Sequence, residues 1–130
     1  MAPAKQGRRR LVFHVDDEAA LREVTRRLLT KRGFDVIEAG SASEATEVIE
    51  AHEGRIDALL MDVNLPDGWG STLAQRLSAG HPEMVVVYTT GFAESDPVLA
   101  AALTGAAYVV RKPYTGDQLA EILQRAIQRG

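Results

Sequence analysis

"LVFHVDDEAAL", Leu11 to Leu21, decides the reading of the fold. Leu11 to Val15 form a nearly continuous, partly β-branched run, and it ends on two adjacent carboxylates, Asp16 and Asp17, with no turn residue between. Such a run is expected of a strand covered on both faces. Helical spacing starts at Leu21 and continues through Val24, Leu28 and Leu29, with Gly33 as the expected C-cap. Strand followed directly by helix is half of a β-α unit. The acid pair therefore stands at the carboxyl end of a buried strand.

The same grammar repeats along the chain. Further apolar runs are "DVIEA" (35–39), "IDALLM" (56–61), "MVVVYT" (84–89) and "YVV" (108–110). Ser41 and Glu44 predict a capping box ahead of Ala45, Val48 and Ile49. Leu73, Ala74 and Leu77 mark a third helix stopped by Gly80 and Pro82, and Asp96-Pro97 opens a fourth over Val98 to Leu103. Leu119, Ile122, Leu123, Ala126 and Ile127 give a last helix one apolar face. Strict βαβα alternation implies an α/β fold, a doubly wound five-stranded parallel sheet with helices on both faces. The pattern leaves the strand order open.

The rest of the composition narrows the class. At 130 residues, with 45% hydrophobic and 25% charged content, the chain reads as one globular domain. A net charge of −3 argues against nucleic acid as a direct partner. With no cysteine, disulfides and thiolate metal sites are excluded. Apolar runs of about six residues fall far short of the roughly 20 that cross a bilayer, and no secretory signal precedes Leu11. A cytoplasmic protein without membrane contact is expected. Lys5, Arg8, Arg9 and Arg10 lack interleaved aromatics, so residues 1–9 are read as a disordered leader and 10–130 as the domain.

In open parallel sheets, ligands bind outside the carboxyl ends of the strands. After the first strand come Asp16 and Asp17, after the third Asp62, after the fourth Thr90, after the fifth Lys112. Two carboxylates about 4 Å apart repel by roughly 4 kcal/mol at an effective dielectric of 20. Three together need counter-charge, and one lysine supplies only part of it. Oxygen donors without nearby His or Cys favour a hard divalent ion, Mg²⁺.

"VDDE", "MDVNLPDGWG", "VYTTG" and "RKPY", in this order, resemble the receiver domain of two-component response regulators, over about residues 10–129. Asp62, Pro66 and Gly70 match the family's D-x-x-x-P-x-x-x-G run, and Thr90 to Lys112 spans the family's usual 22 residues. The resemblance implies the CheY-like strand order 2-1-3-4-5 and a single-domain receiver. It also implies the roles. Asp62 is the phosphoacceptor. Asp17, Asp62 and the Asn64 carbonyl bind Mg²⁺, with Asp16 acting through water. Lys112 and Thr90 meet phosphoryl oxygens, and Lys112-Pro113 is a cis peptide. The implied partners are a histidine kinase or histidine phosphotransferase as donor and an unidentified downstream protein. The switching surface is the fourth helix, fifth strand and fifth helix. Such a module is not an enzyme beyond self-catalysed phosphotransfer and dephosphorylation.

Some residues depart from the pattern. The usual aromatic three residues before the lysine is Val109 here, and Tyr108 is out of phase with it. Tyr88 and Phe92, flanking Thr-Thr-Gly, are candidate substitutes, and Phe92 is expected to slow hydrolysis by excluding water. Thr89 competes with Thr90, but strand alternation lets only one face the phosphate, and spacing to Lys112 favours Thr90. His14 is read as a packed core residue. Trp69 is read as covering the site or meeting a partner. Two other functions are compatible with the acid cluster. A degenerate receiver would act as an interaction module only. An Mg²⁺-dependent aspartyl phosphohydrolase of the haloacid dehalogenase type would need an acid at the position of Asn64.

Overall fold

Each buried run becomes a strand of one sheet. The computed structural model describes residues 9–91 and 108–129. The leader through residue 8, the sequence-predicted fourth helix and Phe92 lie outside the described residues. The elements are β1 (Arg10–Val15), α1 (Ala19–Lys31), β2 (Phe34–Ala39), α2 (Ala42–Ala51) and β3 (Ala58–Asp62). There follow β4 (Asn64–Leu65), β5 (Gly68–Trp69), α3 (Gly70–Ala79), β6 (Val85–Thr90), β7 (Val109–Arg111) and α4 (Gly116–Arg129). The sheet order is β2-β1-β3-β6-β7, every pairing parallel, while β4 and β5 form a separate antiparallel hairpin. Counting sheet strands alone, this is the order 2-1-3-4-5.

Strand alternation sorts the core into two layers. Phe13, Val15, Leu59 and Met61 face Ile49 of α2 and Leu73 and Leu77 of α3. Their neighbours Val12, Leu60, Val87 and Val110 face Leu29 of α1 and Leu119 and Leu123 of α4. Each fully buried Leu or Phe stabilises by about 1.5–3 kcal/mol, so both layers hold the strand ends in fixed register. Among the described residues, no helix is long and apolar enough to cross a membrane.

The strand ends differ from the sequence runs in an instructive way. Asp62 and Thr90 are the last residues of β3 and β6 rather than the first residues beyond them. Pairing with the neighbouring backbone extends a strand past its last apolar side chain, and Asp62 lies in register with Thr89. At the other end Ile56 and Asp57 precede β3. The Asp57 carboxylate accepts the Leu11 N–H at 2.8 Å and pairs with Arg55.

Helix ends follow the sequence closely. α1 is C-capped by Arg32, and Gly33, one residue on, takes φ +93°, where only glycine is unstrained. Ser41 Oγ accepts the Glu44 N–H at 3.1 Å, while the Glu44 carboxylate reaches back to the Gly40 N–H instead of that of Ser41. A reciprocal box also starts α4: Thr115 Oγ1 accepts from Gln118 N–H (3.0 Å) and Gln118 Oε1 from Thr115 N–H (2.9 Å). Arg9, read as leader, already bonds the Asp35 carboxylate and the Phe34 carbonyl at the edge of β2.

Candidate functional site

β1 delivers Asp16, fully buried, and the exposed Asp17 to the carboxyl edge of the sheet. The Asp16 backbone is locked from two directions: its N–H donates to the Ala39 carbonyl (3.1 Å), and Arg22 Nη1 donates to its carbonyl (2.6 Å). Its Oδ1 accepts the Glu18 N–H at 2.9 Å, which turns the chain into α1. β3 delivers Asp62, whose Oδ1 accepts the Asn64 N–H at 3.2 Å. Lys112 follows β7, held by its N–H to the Thr90 carbonyl (2.8 Å), and its peptide bond to Pro113 is cis.

Its ammonium closes the arrangement. Lys112 Nζ lies 2.9 Å from Asp16 Oδ2, 3.2 Å from Asp62 Oδ2 and 3.9 Å from Glu18 Oε1. Asp16, Asp17 and Asp62 each place a carboxylate oxygen within 4.8 Å of the others. Asn64, Thr90 and Gly91 complete the cleft with Asp17, Glu18, Asp62 and Lys112. All the sequence-predicted site residues thus converge on one cleft or its floor.

The electrostatics follow from this crowding. Burial pushes the Asp62 carboxyl above its ordinary range, aided by Asp16 and opposed by Lys112 and the Asn64 N–H. Burial alone would depress Lys112, but hydrogen bonding and Coulomb attraction from Asp16, together with Asp62, outweigh it and hold the ammonium protonated. Among the described residues, the Lys112 ammonium faces the carboxylates of Asp16, Glu18 and Asp62, with Asp17 beside them. An all-oxygen set with that surplus of negative charge, open to solvent through Asp17, fits a divalent hard cation.

The competing threonines separate as alternation requires. Thr90 lines the cleft, whereas Thr89 is buried beside Asp62 in register, its Oγ1 without a hydrogen-bond partner among the described residues. Val109 is exposed, in register with Tyr88. Tyr108 packs toward α4 and Tyr88 toward the α2–α3 layer, so the two phenols lie on opposite faces of the sheet. Trp69 is exposed and pairs with Asn64 in the β4–β5 hairpin.

His14 is a core residue with both ring nitrogens buried and without a hydrogen-bond partner among the described residues, Nε2 lying 4.0 Å from Asp16 Oδ2. Burial, with Lys112 and Arg22, lowers its pKa from 6.5 to about 4 against the pull of Asp16. Between those two values the unfolded chain binds a proton that the folded one refuses, so stability falls as pH drops through that window. The loss is worth up to about 3 kcal/mol and is complete near the folded value. Urea unfolding at pH 7 and pH 4.5 is expected to show a smaller difference for His14→Leu than for wild type; parallel profiles would refute the assignment.

Two contributors, Arg22 and Asp67, escape sequence reading, and a third, Gly70, reads only as part of a spacing. Gly70 packs so tightly that a Cβ there would lie 2.0 Å from the Asp62 carbonyl oxygen. Arg22 reads only as a helix-surface charge. Asp67, in a Pro-Asp-Gly turn, accepts the N–H groups of Ala42 (2.9 Å) and Ser43 (3.2 Å) across the loop, and these bonds hold its carboxyl below the ordinary range. The turn was legible; its distant partners were not.

Comparison with known proteins agrees with this geometry. The family model described as "Response regulator receiver domain" matches residues 12–124. The chain is 31% identical over 118 residues to the sensor kinase CckA of Brucella abortus, covering 91% of this chain but 12% of that protein. It is 31% identical over 121 residues to the transcriptional regulatory protein PdtaR of Mycobacterium tuberculosis, covering 92% of this chain and 58% of that one. This chain thus spans only part of the curated relatives it matches. A CheY-like receiver domain protein from Methanospirillum hungatei superposes with a TM-score of 0.80 at 25% identity, covering 94% and 96% of the two chains. By sequence, strand order and cleft together, the chain belongs to the response regulator receiver domain family, the phosphoacceptor module of two-component systems.

Proposed function

We propose that Asp62 accepts a phosphoryl group from a histidine kinase or histidine phosphotransferase and that the acyl phosphate switches a protein-binding surface. The observation that carries this reading is the single ammonium of Lys112 shared between Asp16 Oδ2 and Asp62 Oδ2 at 2.9 and 3.2 Å. A carboxylate oxygen of Asp62 attacks phosphorus, an O–P bond forms, and the P–N bond to the donor imidazole breaks, its electron pair returning to nitrogen. Lys112 is placed to pair with a phosphoryl oxygen, and Thr90 offers its hydroxyl to another from the cleft wall. Asp16, Asp17, Asp62 and the Asn64 carbonyl would hold Mg²⁺, which when bound offsets the charge of the incoming phosphoryl group. Residues 10–130 form the unit that does this.

Phosphorylation adds about −1.5 to −2 charges, toward which the Lys112 ammonium and the Thr90 hydroxyl in the same cleft are drawn. Both are tied to the edge strand: the Lys112 N–H bonds the Thr90 carbonyl, and Thr90 is in register with Arg111. The described part of the responding surface is therefore β7 and α4, where Val109 and Arg111 border a groove with Ile122 and Arg125.

The experiment is phosphotransfer from a phosphorylated histidine kinase domain with Mg²⁺ present, read by intact mass. Wild type is expected to gain one phosphoryl group and Asp62→Asn none. Equal labelling of the variant would overturn the assignment.

A further inference from the structure

The hairpin that carries Asn64 has few attachments among the described residues. Among residues 64–69 only Leu65 is buried, and the base is closed by the Gly70 N–H donating to the Val63 carbonyl at 2.7 Å. At its tip Asp67 reaches a different element, bonding the first two N–H groups of α2. Those groups have no partner within the helix and favour an anion. The anchor itself is firm. Ser41 Oγ holds the Glu44 N–H, Glu44 holds the Gly40 N–H, and Ala39, next in the chain, accepts the Asp16 N–H. Hydrogen bonds and chain thus run in a closed circuit from Asp16 through the start of α2 to Asp67, and back along the hairpin to Asn64 and Asp62.

We infer that Asp67 is a positioning residue, fixing the Asn64 carbonyl and Asp62 relative to Asp16 and Asp17 by pinning the hairpin to the N-terminus of α2. The inference rests on the reading of the cleft given above. It goes beyond a helix cap because the cap comes from the site loop, 25 and 24 residues away in sequence. Removing it releases one side of the cation cradle, whereas removing the local cap at Ser41 weakens α2 and leaves the hairpin tethered.

The test compares wild type, Asp67→Ala and Ser41→Ala as full chains. MgCl₂ is titrated with Trp69 fluorescence, the chain's only tryptophan, and amide exchange is measured without metal. For Asp67→Ala, the Mg²⁺ half-saturation is expected to rise about tenfold, the scale of losing a partner that orients ligands. Metal-free exchange should quicken at Ala42, Ser43, Asn64 and Trp69. Ser41→Ala is expected to lower the urea midpoint while keeping the wild-type half-saturation. An unchanged half-saturation in Asp67→Ala, or an equal rise in Ser41→Ala, overturns the inference. A wild type that shows no response to Mg²⁺ overturns the reading of the cleft itself, which the first result does not.

Discussion

Gly70→Ala is expected to lose about 3 kcal/mol of stability and to displace the phosphoacceptor loop. A methyl group at this position would lie 2.0 Å from the Asp62 carbonyl oxygen, 2.9 Å from its carbonyl carbon and 2.9 Å from Met61 Cγ. Met61 can turn aside; the backbone of β3 cannot, because Asp62 is paired with Thr89 in the centre of the sheet. The start of α3 must therefore back away. That breaks the bond from Gly70 N–H to the Val63 carbonyl (2.7 Å), about 1 kcal/mol. It also opens the packing of the buried Leu73 and Leu77, where overpacking costs about 1–3 kcal/mol. The better helix propensity of alanine returns at most about 1 kcal/mol. Gly80→Ala at the other end of the same helix is the control: its backbone is right-handed helical and, among the described residues, nothing lies within 4 Å of the added carbon. It should stay within about 0.5 kcal/mol of wild type. Urea midpoints of the two variants decide it, and equal midpoints would show that the close approach at Gly70 is accommodated.

Gly70 also marks where sequence reading reached its limit. The spacing from Asp62 to Gly70 matched the family run, but the reason for a glycine is a contact between the first turn of α3 and the carbonyl eight residues earlier. The alternation and the apolar runs were legible because burial on both faces leaves a continuous local pattern. The position of each acid at a strand end was legible for the same reason, though β3 and β6 run one residue further than their apolar side chains suggest. Alternation also put Tyr108 out of phase with Val109, and in the structure Tyr108 packs toward α4 while Val109 stands in register with Tyr88, which packs on the other face. What stayed hidden is side-chain reach from one segment to another, which no local pattern records. Arg22 reaching the Asp16 carbonyl, Asp67 capping α2 and the Thr25–Tyr114 hydroxyl pair at 2.8 Å all join separate elements. Thr115 and Gln118 are the exception. Their spacing is a capping signal that was present in the sequence and went unread.

Lys112→Met is expected to move stability and cation affinity in opposite directions. In the metal-free protein the Lys112 ammonium is the counter-charge nearest Asp16 Oδ2 and Asp62 Oδ2, and both side chains are at most 8% exposed. Removing one partner of a buried pair leaves the other charge uncompensated, typically a loss of 3–5 kcal/mol. Asp62, already raised by burial, can escape by taking up a proton. Holding an ordinary carboxyl neutral at pH 7 costs about 4 kcal/mol, which caps the loss, so about 3 kcal/mol is expected without metal. The same ammonium competes with any cation for those oxygens. A unit charge and a divalent charge about 6 Å apart repel by about 1.4 kcal/mol even at the dielectric of water, a factor of ten in affinity. Lys112→Met should therefore bind Mg²⁺ about tenfold more tightly and recover most of its lost stability at saturating Mg²⁺. Phosphoryl uptake should still slow, because no ammonium is left to meet the phosphoryl oxygen. Urea unfolding with and without MgCl₂, together with a Trp69 fluorescence titration, measures both effects. If the variant is as stable as wild type without metal, or binds Mg²⁺ more weakly, Lys112 is not the counter-ion that balances this cleft.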